Sequence, residues 1–267
     1  MRVAIAGAAG RMGRALIEAC ETADGVVCAA ALERPGHDAL GVDAGTLAGG
    51  AALGCVLSAE LAAIAADFDV LVEFTLPEPT VEHLRQCVAL DKPMVIGTTG
   101  LNEEQRGAIK AASEHIPIVF APNMSIGVNL TFKLIEVAAK ALGDSADIEV
   151  IEAHHRHKVD APSGTAVRMG EILANTLGRD LGECAVYGRE GRTGPRDRRT
   201  IGFETVRGGD IVGDHTVMFA TEGERIEITH RSHTRANFAH GALRAAAWLA
   251  SQSAGVYDMQ DVLGFRH

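Results

Sequence analysis

The stretch that most constrains this chain is its first turn. A short apolar run, Val3-Ala4-Ile5-Ala6, gives way at once to Gly7-Ala8-Ala9-Gly10-Arg11-Met12-Gly13, and helical spacing of apolar residues follows to Ala23. A continuous apolar run of this length suits a strand covered on both faces. Glycines let the chain turn tightly, bring backbone close to a ligand and pack the helix against the strand. Backbone N–H groups at the helix start then face outward, where they attract a pyrophosphate. The spacing is G-x-x-G-x-x-G rather than G-x-G-x-x-G, so the context has to carry the reading. Glu33 closes the second apolar run, 20 residues beyond Gly13. That is the position from which an acid hydrogen-bonds the adenine ribose of NAD, while the adjoining Arg34 suits the 2′-phosphate of NADP. The plain alternative for Glu33-Arg34 is a surface ion pair. Gly7, Ala8, Ala9, Gly10, Arg11, Met12, Glu33 and Arg34 are therefore candidate cofactor-binding residues.

The alternation continues. Strand-like runs at 26–32, 70–74, 94–96 and 116–120 are separated by helical patterns at 61–66, 80–90 and 102–113. This order predicts an α/β fold, a Rossmann-like parallel sheet with helices on both faces. Beyond residue 125 the texture changes to a helix at 128–142, a strand at 148–153, a His-rich loop, a second helix, and strand-like runs at 201–207, 216–220 and 225–229. Gly208-Gly209-Asp210 and Glu222-Gly223 predict hairpin pairing among the last three. An alanine-rich helix at 237–251 follows. The expected organisation is a dinucleotide-binding domain of residues 1–125 and 236–267, with a smaller α+β substrate and oligomerisation domain of residues 126–235.

Composition removes several classes. Hydrophobic residues make up 47% and charged residues 22%, which excludes intrinsic disorder. A net charge of −10 and 4% aromatics argue against nucleic acid. The longest stretch without Asp, Glu, Lys or Arg, 115–132, contains two prolines and two asparagines and does not read as a lipid-facing helix. The N-terminal apolar run is too short for a signal peptide. Five scattered cysteines suggest neither a disulfide framework nor a cysteine zinc site, so a cytoplasmic location is expected. The charge splits as −8 over residues 1–125 and −2 over 126–267. The bland reading is solvated surface, and the sharper one places an anionic small molecule in the second half.

Two loops follow strands in the first half. Gly97-Thr98-Thr99-Gly100 and Ala121-Pro122-Asn123-Met124 stand where ligands bind beyond the carboxyl ends of parallel strands, although each alone could be an ordinary tight loop. The most informative segment is His154-His155-Arg156-His157-Lys158-Val159-Asp160-Ala161-Pro162-Ser163-Gly164-Thr165. Crowded cations should lower local His and Lys pKa values and poise them for proton transfer. Ser163 reads as an N-cap, and the Gly164 and Thr165 amides would form an anion pocket suited to a carboxylate. Two rivals stand beside catalysis. One is a solvated basic turn. The other is a zinc site on His154, His157 and Asp160, which matches no standard spacing and would be repelled by Arg156 and Lys158. Arg189 to Arg199 reads as a mobile basic loop, more plausibly solvated than closing over an anion. His230, His233 and His240 read as structural or surface histidines, and Arg235 as a residue able to meet a carboxylate.

With these residues in view, the sequence resembles the bacterial 4-hydroxy-tetrahydrodipicolinate (dihydrodipicolinate) reductases over essentially its whole length. The segment 152–166 is the most specific part, supported by 3–13, 97–100 and 121–127. The resemblance implies NADH- or NADPH-dependent reduction of a small cyclic dicarboxylate in the diaminopimelate route to lysine. It implies His154 as proton donor/acceptor, Lys158 as proton donor, His155 as substrate contact, and Gly164 and Thr165 as the carboxylate clamp. The cofactor would be lined by 7–12, Glu33, Arg34, Gly97, Thr98, Thr99, Ala121, Pro122, Asn123 and Met124. No metal is implied, and a homotetramer built through the second domain's sheet is. Leu76 departs from a basic residue found in some members, which shifts NADP preference onto Arg34, and Met124 stands where Phe is common. The rival functions are a nicotinamide-sensing regulator, for which no DNA-reading element is visible, and a His-based metallohydrolase.

Overall fold

A computed structural model describes residues 1–266. The chain divides into two compact units, Met1–Ile126 with the segment from Arg235 onward, and Gly127–Thr234.

In the first unit, β1 (Arg2–Ala6), α1 (Arg11–Cys20), β2 (Val27–Leu32), α2 (Ala44–Ala48) and β3 (Leu57–Ser58) are followed by β4 (Val70–Glu73), α3 (Pro77–Ala89), β5 (Met94–Ile96), α4 (Glu103–Ala112) and β6 (Pro117–Phe120). The strands form a sheet in the order β12-β6-β5-β4-β1-β2-β3, where β12 is Gly255–Tyr257 near the chain's end, and every pairing is parallel. The chain runs outward from β1 to β3, then returns to place β4 on the other side of β1. That reversal is the topological switch point of a doubly wound sheet.

Period-two alternation separates the two cores. Val3 and Ile5 face a layer with Leu16 and Ile17 of α1, whereas Ala4 and Ala6 face Leu84 and Ile109 from the helices opposite. The alanine-rich helix α8 (Ala236–Leu249) belongs to the first layer through Ala239, Ala242, Ala245 and Ala246. Its small side chains permit close approach: a Cβ on Gly241 would lie 1.8 Å from the Met124 carbonyl oxygen.

The second unit contains α5 (Ile126–Leu142), whose first residue precedes its boundary, β7 (Asp147–His154), α6 (Gly164–Thr176), α7 (Leu181–Cys184), β8 (Ala185–Tyr187), β9 (Ile201–Arg207), β10 (Gly213–Thr221) and β11 (Glu224–Ser232). Its sheet runs β11-β10-β7-β9-β8. One face packs on α5 and α6 through Phe132, Ile135, Met169 and Leu173 against Ile148, Val150, Phe203, Val217 and Phe219.

This topology corrects the expectation of successive hairpins. Only β10 and β11 pair in that way. The turn residues after β9 do not join it to β10, because β7 lies between them, antiparallel to β10 and parallel to β9. The apolar strand β7 gains neighbours on both edges, and this outweighs local turn chemistry. Other differences are local. The helix expected at 61–66 is a single 3-10 turn, Ala62–Ile64. The elements α2, β3, α7, β8, β12 and α9 (Met259–Val262) are too short to carry a periodic signal.

The basic loop is largely exposed, as expected of a solvated one, but two of its arginines are anchored. Arg189 makes a two-pronged contact with Glu149, and Arg196 reaches both Glu149 and Asp147. The loop is thereby tied to the sheet face opposite α5 and α6.

Candidate active site

In the first unit the proposed cofactor residues all fall at carboxyl ends of strands: 7–12 after β1, Glu33 and Arg34 after β2, Gly97 to Thr99 after β5, and 121–124 after β6. Gly7 has φ +64°, a conformation that disfavours side chains. A Cβ on Gly13 would lie 2.2 Å from the Gly7 carbonyl oxygen and 2.6 Å from Ala8 Cα, so glycine there lets α1 seat directly on the loop. The helix starts at Gly10 with no side-chain cap on its first-turn amides. Glu33 leans over the loop, accepting hydrogen bonds from the Ala9 amide (3.1 Å) and the Arg34 amide (2.9 Å). Arg34 is exposed. An uncapped helix start, a tight glycine turn and an acid at the second strand's end fit a dinucleotide.

Sequence reasoning passed over the loop after β4 apart from Leu76. It lies between the others: Thr75 abuts Gly7, and the Phe74 ring occupies the space a Cβ on Gly97 would need. Glu73, wholly buried, holds this turn by accepting from the Thr75 amide (2.7 Å) and pairing with His83 (2.5 Å). Thr98 is buried and bonds Thr80 of α3 at 2.8 Å. Ala8, Ala121 and Met124 are buried as well, so their side chains shape the loops from within the core.

In the second unit, His154, His155, Lys158, Gly164 and Thr165 are gathered where β7 ends and α6 begins. Cross-strand register explains why. On the inner face of the sheet an apolar row, Val150, Phe203 and Val217, is followed one step along by Glu152, Thr205 and His215. The sheet face therefore turns polar beside the helix start.

Glu152, 1% exposed, organises this row. It accepts from both terminal nitrogens of Arg207 (2.8 Å each), from the Ser163 amide (3.0 Å) and from His154 Nδ1 (2.7 Å). Burial alone would push its carboxyl up, but Arg207, the His154 N–H and the Ser163 N–H outweigh it and hold it down to about 2. His154 lies below its ordinary value chiefly because it is buried, with Glu152 opposing the shift and the cations Lys158 and Arg207 contributing less. Cationic crowding is thus a minor cause, correcting the sequence-based account. Lys158 pairs with Asp160 at 2.9 Å, and Arg207 with Glu152, so the cluster is largely neutralised.

The neutral His154 donates Nδ1–H to Glu152, which fixes its tautomer and leaves Nε2 as the acceptor. Ser163 caps α6 by accepting from the Ala166 amide (3.2 Å), directing the helix start, Gly164 first, outward. Glu152 had one sequence signal: in Ile148-Glu149-Val150-Ile151-Glu152 it occupies the face of Ile148 and Val150.

Family models for dihydrodipicolinate reductase match the chain throughout, the N-terminal one over residues 1–124 and the C-terminal one over 127–263. The chain belongs to the dihydrodipicolinate reductase family. A 4-hydroxy-tetrahydrodipicolinate reductase from Alkalilimnicola ehrlichii is 64% identical over 98% of both chains, and one from Acinetobacter baumannii is 59% identical over 98% of this chain and 96% of that one. A dipicolinate-bound dihydrodipicolinate reductase from Paenisporosarcina sp. TG-14 shares the fold, with TM-score 0.75, 24% identity and 98% of each chain covered. The activity is that of the family, NAD(P)H-dependent reduction of the dipicolinate-pathway intermediate in lysine biosynthesis. Among the described residues, no helix is long and apolar enough to cross a membrane.

Proposed function

We propose that the chain reduces 4-hydroxy-tetrahydrodipicolinate, or its dehydrated form, to tetrahydrodipicolinate with the residues placed above. The observation that carries this reading is the buried Glu152, which bonds both His154 and the amide of the clamp helix's capping serine. A single carboxylate thus sets the position of a proton-handling imidazole relative to an anion-binding helix end.

The dinucleotide would be held by 7–12, Glu33, Arg34, Gly97 to Thr99 and 121–124, and when bound it supplies a hydride to the substrate ring. Gly164 and Thr165, at the positive end of α6, take a substrate carboxylate. His155 contacts the substrate beside them. His154 presents Nε2 as proton acceptor and, once charged, as donor. Lys158 Nζ delivers the proton that balances the hydride, with Asp160 holding the ammonium until substrate arrives. Glu33 suits NADH and Arg34 suits NADPH, so both reductants are expected to serve.

The Paenisporosarcina relative is dipicolinate-bound, and dipicolinate is a dicarboxylate, the class of molecule this clamp would take. A homotetramer formed through the second unit's sheet and a cytoplasmic location complete the proposal. The first is supported by apolar side chains on that sheet's open face, and the second by five unpaired cysteines.

The test follows loss of reduced-nicotinamide absorbance with enzymatically generated substrate. Wild type should turn over with both reductants. Lys158→Ala should lower kcat by about 10²-fold or more while dinucleotide affinity stays within about twofold. Near-normal turnover in that variant would remove Lys158 from its role.

A further inference from the structure

His215 plays no part in the reaction as described, yet it occupies a costly position. It stands in β10 directly opposite Glu152, 4% exposed, with apolar Val217 and Phe219 continuing the same face. Its Nε2 lies 2.8 Å from Ser163 Oγ, the atom that caps α6. Its ring meets His154 edge-to-face at 5.0 Å and 74°. Its Nδ1 is buried with no hydrogen-bond partner. Packing alone would be better served by a phenylalanine or leucine, which would leave no polar atom unsatisfied.

We propose that His215 is a positioning residue for the reduction, joining the imidazole of His154 to the serine that caps the carboxylate clamp. The Nε2–Oγ contact is a hydrogen bond in either tautomer of the neutral ring. Ser163 Oγ is therefore held by two hydrogen bonds, one with His215 Nε2 and one from the Ala166 amide, and its side chain is locked. The Ser163 amide is already held by Glu152. Capping atom and capping backbone are therefore fixed from two neighbouring strands, and the Gly164 and Thr165 amides keep one direction. The other edge of the same ring limits how His154 can tilt on its Glu152 hydrogen bond. This inference rests on the clamp reading of Gly164 and Thr165.

Two substitutions separate the two edges. His215→Phe keeps a ring against His154 but removes the hydrogen bond with Ser163. His215→Gln keeps a donor at the reach of Nε2 but removes the ring. Dipicolinate, titrated calorimetrically into the full-length protein, reports the clamp directly, and steady-state kinetics report the rest.

The Phe variant should weaken dipicolinate binding and raise substrate KM about tenfold, the worth of one buried hydrogen bond, with kcat within about threefold. The Gln variant should bind dipicolinate within about threefold of wild type and lose about tenfold in kcat. Ser163→Ala should weaken dipicolinate binding at least as much as His215→Phe, because it removes the same bond and the Ala166 cap with it. Dinucleotide affinity should be unchanged throughout. A Phe variant that binds dipicolinate as wild type does would overturn the proposal, as would kcat and KM shifting in the same proportion in both variants. Failure of the wild type itself to bind dipicolinate would instead remove the clamp reading, and this inference with it.

Discussion

At the scale of single residues, the site depends on groups whose charge is set by burial and by one or two neighbours. His215 is pushed down to about 3, first by burial and then by the nearby His154, and His154 is lowered for the same leading reason. Stability must follow. Below pH 6.5 an unfolded chain protonates these imidazoles, whereas the folded chain refuses the His215 proton until the pH nears 3. Stability therefore falls as pH drops through that window. Glu152 behaves as a depressed acid: its contribution is complete above the ordinary value of 4.5 and disappears as pH falls towards 2. Between pH 7.5 and 5.0 the carboxylate hardly contributes, and His215 alone should cost about 2 kcal/mol. Urea unfolding of the wild type at these two pH values should show that loss, and His215→Gln should remove most of it. Equal pH slopes in both proteins would contradict the assignment. None of this was legible from single residues. His154 and Lys158 stood in a motif, but Glu152 and His215 are 63 positions apart, and only the β7–β10 register makes them neighbours.

At the scale of elements, the first unit was legible because its chemistry is local. The glycines after β1 are needed for the turn itself and for helix seating, and both requirements fall within seven residues. Gly13 carries the sharpest consequence. A methyl group there would meet the Gly7 carbonyl oxygen and Ala8 Cα, both backbone atoms that cannot swing aside. Gly13→Ala should therefore shift α1 off β1, destabilise the protein by about 1–3 kcal/mol and weaken dinucleotide binding at least about tenfold. A calorimetric titration of NADH that gives wild-type affinity would show that the loop tolerates the displacement. The second unit was less legible for the complementary reason. Its turn residues favoured pairing of β9 with β10, whereas the strand that separates them lies far back in sequence and competes through burial of Val150 and Ile148. The helix expected at 61–66 fails similarly: only Leu61 finds a buried place, and one 3-10 turn suffices to deliver it.

At the scale of the whole molecule, the uneven charge takes on a physical meaning. The second unit's cations are consumed by specific carboxylates, Arg207 by Glu152 and Arg189 and Arg196 by Glu149. The second pair of contacts lies on the sheet face opposite α5 and α6. Gly202 makes room there, since a Cβ would fall 1.8 Å from the Glu149 carboxylate. Register places Ile151, Val186 and Val206 on the same face, and Val206 is 50% exposed. Exposed apolar side chains set among held ion pairs, Glu204 with Arg189 included, suit a sheet face that meets another copy. Light scattering should therefore report a species several times the 28.0 kDa chain mass, consistent with four copies. Val206→Glu adds a charge to this face without touching His154, Lys158 or the clamp. It should shift the population towards smaller species, because an unpaired buried carboxylate is costly in an interface. A wild type that scatters as a single chain, or a Val206→Glu protein that assembles unchanged, would show that this face is not where copies meet.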